Sequence, residues 1–223
     1  MTRDANLKVR VKSAKGRKLS STRWLERQLN DPFVREANRL GYRSRAAFKI
    51  QEIHEKFNIF QTGQCVLDLG AAPGGWSQIA AQYVNKGQQR GQVLAVDILP
   101  INSLSEVDSL QLDIFQEDSL DLIKAKMIKP EADIILSDMA PSTTGHKSTD
   151  HLRIIALLEN ALDITENLLA DGGVFVGKVF RGGTESDILK RMKIKFQNVR
   201  HIKPKSSRAN STELYVVGLN YRK

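Results

Sequence analysis

Cysteine is nearly absent: Cys65 is the only one in 223 residues. That excludes a disulfide within the chain, and with it the stapled scaffolds of small secreted proteins. A reduced, cytoplasmic setting is expected. No apolar run approaches the ~20 residues that a helical membrane span needs, so no membrane partner is expected. The four histidines, His54, His146, His151 and His201, are scattered and have no cysteine neighbours, so no metal site is expected. The first residues lack the apolar segment of a secretory signal.

Acidic residues are scarce in the first flank and absent from the second. Residues 1–49 hold 14 Lys/Arg against 4 Asp/Glu, residues 50–189 hold 10 against 20, and residues 190–208 hold 8 against none. An acidic body between two basic flanks is the footprint of an enzyme whose flanks follow one polyanion. The competing reading is solvated surface or a basic tail. From Met1 to Ser21 the only acid is Asp4, which also resembles an organellar leader. The basic character, however, continues through Arg23, Arg27, Arg35, Arg39, Arg43 and Arg45 into segments that read as folded helix. A basic, flexible RNA-binding arm over 1–30 and a single α/β domain over 31–223 are therefore expected.

Two helices are predicted over Thr22 to Leu29 and Pro32 to Leu40, with Asp31-Pro32 as cap and first turn. A third opens at Ser44, where Ala47, Phe48, Ile50, Ile53 and Phe57 share one apolar face and Lys49 lies beside it. Strands and helices then alternate. Strands are predicted over Cys65 to Gly70, Gln92 to Ile98, Leu110 to Ile114, Ala132 to Met139 and Gly172 to Phe180. Helices are predicted over Gly74 to Val84, Asp150 to Ala170 and Thr184 to Lys195. Two last strands, Val199 to Ile202 and Glu213 to Asn220, have no helix between them and suggest an antiparallel hairpin at one edge. The expected architecture is a Rossmann-like α/β fold, a seven-stranded and mostly parallel sheet with helices on both faces.

The stretch DLGAAPGGW, Asp68 to Trp76, falls at a strand's carboxyl end, where open parallel sheets bind ligands. Gly70, Gly74 and Gly75 let backbone approach a ligand, and the following helix points its amides there. The spacing is not that of a dinucleotide loop, and Pro73 removes a backbone donor that a pyrophosphate would need. Asp97 ends the second predicted strand, placed to accept from ribose hydroxyls, and Asp113 follows the third, placed to accept from an adenine amine. A cationic, phosphate-free cofactor tolerates these carboxylates; a pyrophosphate does not. S-adenosylmethionine is the expected cofactor. Asp68 either meets its amino-acid portion or anchors the glycine loop, and Trp76 either packs the loop or touches the cofactor.

DLGAAPGGWSQ, SDMAP (Ser137 to Pro141), GKVF (Gly177 to Phe180), SRAAFK (Ser44 to Lys49) and KPKSSRANSTELYVV (Lys203 to Val217) resemble, in order, the motifs of the FtsJ/RrmJ family of large-subunit ribosomal RNA ribose 2′-O-methyltransferases. The resemblance runs from about Asp31 to the end. It implies a catalytic set of Lys49, Asp138, Lys178 and Glu213 and cofactor contacts at Gly74, Trp76, Asp97, Asp113 and Asp138. It further implies a uridine ribose of 23S rRNA, within the assembling 50S particle, as target. Gly177 departs from the pattern, where valine is expected.

The chemistry is consistent with that set. A ribose hydroxyl attacks a sulfonium methyl only if its proton is removed or its developing charge is stabilised. Lys178 interrupts an apolar strand, where a lysine is costly unless paired. It can act as a base only as the neutral amine, which burial and a second ammonium favour and paired carboxylates oppose. Base or oxyanion stabiliser are both open at this point. Without the resemblance, Lys49 reads as ordinary surface lysine and Glu213 as an edge charge. Arg43, Arg45, Lys203, Lys205 and Arg208 adjoin the set in sequence and are the candidate RNA phosphate contacts. A required 2′-hydroxyl selects RNA over DNA. Cytosine C5 chemistry is disfavoured because Cys65 opens the first strand, and a dehydrogenase by the loop spacing. The alternative of another kind is an RNA-binding assembly factor on the same fold without turnover.

Overall fold

The computed structural model describes residues 10–11, 19–141, 146–180 and 185–223. Expectations for the rest of the basic stretch before Leu19, and for a helix start at Thr184, lie outside the described residues.

Three helices precede the sheet: α1 (Leu19–Leu29), α2 (Pro32–Arg39) and α3 (Ala47–Phe57). Asp31 caps α2 by accepting from the Phe33 amide at 3.0 Å, with Pro32 in the first turn. This is the pairing its sequence calls for. The third helix begins later than Ser44, because Ser44 to Ala46 form a turn in which the Ala47 and Phe48 amides bond back to Ser44 and Arg45. Ser44 is occupied elsewhere: a Cβ on Gly75 would stand 2.3 Å from its Oγ. Asn58 ends α3 in the left-handed conformation.

Strands β1 (Cys65–Leu69), β2 (Gln92–Asp97), β3 (Asp108–Gln111), β4 (Ala132–Ser137), β5 (Leu169–Phe180), β6 (Phe196–Ile202) and β7 (Glu213–Tyr221) form one sheet in the order β3-β2-β1-β4-β5-β7-β6. The first five are parallel; β7 runs antiparallel to β5, and β6 to β7. Helices α4 (Gly75–Val84), α5 (Ser119–Lys126), α6 (Lys147–Leu168) and α7 (Glu185–Lys195) complete the chain. One face packs Ile123, Leu158, Leu162, Ile188 and Met192 from α5, α6 and α7. The other packs Ile50, Ile53, Trp76 and Ile79 from α3 and α4. The mostly parallel, two-sided sheet is as the sequence predicts.

Three details differ. Helix α5 was not expected; it is short, and only Ser119 and Ile123 on it are buried, so its apolar period is faint. Strand β3 starts and ends earlier than the apolar alternation implies. Leu112 and Ile114 point into the core just beyond its last paired residue, Gln111. The last strand is not the edge: β7 lies between β5 and β6, and Glu213, opposite Phe180 of β5 and ion-paired with Lys49, is no edge charge. At Gly177 the space of the expected valine is filled by Phe175 and Leu158, each 2.8 Å from where a Cβ would lie.

Candidate active site

The site assembles from four separate elements. Lys178 on β5 stands directly opposite Tyr215 on β7. Directly opposed residues in an antiparallel pair share a face, and so do residues two apart, which brings Glu213 to the same side. That side is the one covered by α3, which carries the buried Lys49. Asp138 sits one residue past the carboxyl end of β4.

These side chains form one chain of contacts. Lys178 Nζ lies 2.8 Å from Asp138 Oδ1 and donates to the Asp138 carbonyl at 2.7 Å. The Tyr215 hydroxyl donates to Asp138 Oδ1 at 2.7 Å and accepts from Lys49 Nζ at 2.9 Å. Lys49 Nζ also pairs with Glu213 Oε1 at 2.9 Å. All four sequence-predicted catalytic positions are thus brought together, and Tyr215 joins the two ion pairs. Sequence reasoning missed Tyr215. Its position two residues after Glu213, in an alternating strand, was the available signal.

Burial sets the electrostatics. Desolvation opposes ionisation of Asp138, but Lys178, then Lys49 and the Tyr215 hydroxyl, hold its carboxyl below the ordinary range. Burial, with Asp138 and Glu213 nearby, pushes the Tyr215 phenol well above its ordinary value. Tyr215 therefore remains a donor to a carboxylate that remains ionised. Removing one member of such a pair leaves a buried charge uncompensated.

A cleft of ≈ 650 Å³ opens beyond the carboxyl ends of β1, β2 and β4. Gly70, Asp97, Asp113 and Asp138 line it, with Ile98, Leu99 and Phe115, which are more than half exposed. Gly70 has φ +73°, and a Cβ there would meet the Met139 side chain at 2.4 Å. Only glycine fits that close approach. Asp97 accepts from the amides of Ala72 and Leu99, at 2.9 and 2.8 Å, and so also holds the loop. Asp113 accepts from the Phe115 amide at 3.0 Å.

Asp68 is fully buried and does not line the cleft; one oxygen accepts from Ser77 Oγ at 2.6 Å, and Oδ1 has no partner. Burial, reinforced by Asp138 and Asp97 and opposed by Ser77, pushes its carboxyl up to about 7. Trp76 is a packing residue here: its indole donates to the Ala46 carbonyl at 2.9 Å and its ring lies 5.4 Å from that of Tyr215. Gly74 has φ +106° and packs against Leu104, opening α4. The buried Cys65 thiol, raised to about 11 by desolvation, opens β1 and is not among this cleft's lining residues.

A second, polar cleft of ≈ 430 Å³ lies on the other side of the contact chain, lined by Lys49, Glu213, Arg45, Arg208 and, from α1, Arg27 and Gln28. The candidate RNA contacts fall unevenly around it. Arg45 and Arg208 share Asp31 Oδ2, each with Nε at 3.1 Å, and Arg45 also bonds the Ser206 carbonyl. Arg45 Nε is within ion-pair range but poorly aligned for a hydrogen bond. Lys203 donates to the Ser211 carbonyl at 2.8 Å, and Arg43 to that of Ser103 at 2.6 Å. Lys205 is exposed; its amide and that of Ser206 are held by Glu52.

Carboxylates at Asp97, Asp113 and Asp138 in an apolar-walled cleft suit a cationic nucleoside cofactor more than a phosphorylated one. The comparisons agree. The FtsJ-like methyltransferase model matches residues 42–221. The chain is 53% identical over 219 residues to "Ribosomal RNA large subunit methyltransferase E" of Paramagnetospirillum magneticum, covering 97% of this chain and 89% of that protein. It is 49% identical over 216 residues to the protein of the same description in Azorhizobium caulinodans, covering 97% and 90%. A solved structure described as a ribosomal RNA methyltransferase of Plasmodium falciparum superposes with a TM-score of 0.72 at 28% identity, covering 81% of this chain and 98% of that one. Among the described residues no helix is long and apolar enough to cross a membrane. Family model, relatives and fold converge on a methyl donor of the S-adenosylmethionine type, and the chain belongs to the FtsJ-like methyltransferase family.

Proposed function

We propose that this protein methylates the 2′-hydroxyl of a uridine ribose in large-subunit (23S) rRNA, in the cytoplasm and within the assembling 50S particle, using S-adenosylmethionine. The observation that carries the reading is the contact chain from Lys178 through Asp138 and Tyr215 to Lys49 and Glu213, lying between a cofactor-like cleft and a basic one. The names of the relatives supply the substrate class.

The donor supplies an electrophilic methyl on sulfur. Asp97 and Asp113 would hold its ribose and adenine amine, with Ile98, Leu99 and Phe115 against the ring. Asp138, which lines the cleft, would take its ammonium end, while the buried Asp68, bonded to Ser77, and the glycines Gly70 and Gly74 would hold the loop close to it. The Lys178 ammonium has three donors and gives two to Asp138, leaving one for the acceptor oxygen. This arrangement favours Lys178 as stabiliser of the 2′-oxygen over Lys178 as base; the hydroxyl proton would then pass to water as the O–methyl bond forms and the S–methyl bond breaks. Lys49 and Glu213 position the acceptor from the other side, and much of the acceleration comes from holding the two substrates in line. Arg43, Arg45, Lys203, Lys205 and Arg208 serve as the RNA-facing set, Arg45 and Arg208 through nitrogens that Asp31 leaves free.

The test is incubation with labelled S-adenosylmethionine and either free rRNA or undermethylated large subunits, followed by mapping of the product. Ribose label on a uridine supports the reading; label on a base removes the ribose assignment.

A further inference from the structure

We infer that Arg27, on helix α1, is an RNA-binding residue that holds the phosphodiester next to the acceptor ribose; this rests on the reading above. The polar cleft beside Lys49 and Glu213 is walled on one side by Arg27 and Gln28 and floored by Arg45 and Arg208. Arg27, Arg45, Arg208 and Lys49 face it against Glu213 alone, with Asp31 behind Arg45 and Arg208. Arg45 Nε and Arg208 Nη2 are buried there without a hydrogen-bond acceptor. Arg27 is exposed, and its side chain makes no hydrogen bond or ion pair among the described residues. Some other arginines are neutralised by acids, Arg39 by Glu36, Arg90 by Glu106 and Arg191 by Asp163 and Glu166, whereas Arg27 is not.

The chemistry of RNA says what anion belongs in the cleft. In a ribonucleotide the 3′-phosphate sits on the carbon next to the one bearing the 2′-hydroxyl. A hydroxyl brought to Lys49 and Lys178 therefore carries a phosphodiester a few bonds away, into the space that these arginines line. Guanidinium suits that role, since its fork matches two phosphate oxygens at once. Lys49 is already committed to Glu213 and Tyr215. Helix α1 is accordingly a wall of the acceptor site, a defined position in place of the general basic, RNA-binding arm that the sequence suggests over 1–30.

The test compares Arg27→Gln and Arg27→Lys with Arg39→Gln, which removes an equal charge from α2 outside the cleft. Binding of a short RNA spanning the methylated position is measured by fluorescence anisotropy with S-adenosylhomocysteine bound, across salt concentrations. Methylation is assayed in parallel. For Arg27→Gln, RNA Kd and KM rise about five- to tenfold, the salt slope falls by about one phosphate contact, and kcat and S-adenosylhomocysteine affinity hold. Arg27→Lys recovers part of the affinity, and Arg39→Gln changes Kd by less than about twofold. Equal effects of Arg27→Gln and Arg39→Gln on Kd and salt slope overturn the inference while leaving ribose methylation intact. Loss of ribose methylation in the unsubstituted protein would instead remove the proposed function, and the anisotropy arm would still decide for or against Arg27.

Discussion

Lys178 and Tyr215 stand opposite each other across the β5–β7 ladder, and both reach the same oxygen of Asp138, at 2.8 and 2.7 Å. One carboxylate oxygen thus fixes the ammonium beside the cofactor cleft and, through the phenol, the ammonium beside the basic cleft. Tyr215→Phe keeps the ring against Trp76 but breaks the link between Lys49 and Asp138. Expected is a kcat lower by about three- to tenfold, with unfolding free energy reduced by about 1–2 kcal/mol. Steady-state kinetics and urea unfolding measure the two. An unchanged kcat would make Tyr215 a spacer only.

Lys178→Ala removes the donor for the acceptor oxygen. Methylation is expected to fall by at least about 10²-fold, as for loss of a charge-stabilising donor elsewhere. Cofactor affinity, read by calorimetry, is expected to stay within a few-fold. Product formation at the unsubstituted rate would take Lys178 out of the mechanism.

Asp68 predicts a pH effect. An acid whose folded pKa is raised from 3.8 to about 7 keeps a proton in the folded state that the unfolded chain has already lost. Its contribution to stability therefore declines as pH rises from about 4 to about 7. Asp138 runs the other way: its lowered pKa contributes stability above the ordinary carboxylate range, lost as pH falls below it. An ammonium bound at Asp138, whose charge Asp68 senses, would favour the ionised form of Asp68, so cofactor affinity weakens as pH drops through about 7. Calorimetric titration from pH 6 to 8.5 checks this, and Asp68→Asn is expected to abolish the slope and to raise Tm at the alkaline end. A slope that persists in Asp68→Asn assigns it to another group.

Gly70→Ala places a methyl where Met139 stands, at a positive φ. Strain of about 1–3 kcal/mol is expected, with weaker cofactor binding, since the same glycine lines the cleft. Thermal shift with and without S-adenosylmethionine separates the two effects. A variant with the original Tm and affinity would show that the loop yields freely.

Asp31→Ala leaves Arg45 and Arg208 without their shared carboxylate and α2 without its cap. Losing the partner of a buried charge costs about 3–5 kcal/mol. Chemical denaturation is expected to show destabilisation of that order. A shift below about 1 kcal/mol would mean that solvent already screens these arginines.

Much of the site was legible because its residues break local rules. Lys178 interrupts an apolar strand, and Asp138 follows one that is buried over five of its six residues. Lys49 and Glu213 break no such rule; a lysine beside a helical stripe and an acid opening a strand are ordinary until their surroundings are known. Tyr215 was hidden for the opposite reason. Aromatic residues are favoured in strands whether or not their hydroxyl is used.

Periodicity and chain order determined the alternation of strands and helices, the glycine loop and its acidic followers, since these depend on contacts a few residues apart. Strand order is a matter of long-range pairing, and only the tertiary structure decided it. Inserting β7 between β5 and β6 puts Glu213 and Tyr215 beside Lys178 and turns an apparent edge charge into an interior ion pair. The same folding brings Arg27, 22 residues before Lys49, to the cleft that Lys49 borders. The local pattern of a polar helix carries no record of that neighbour, because the contact is made across space and not along the chain.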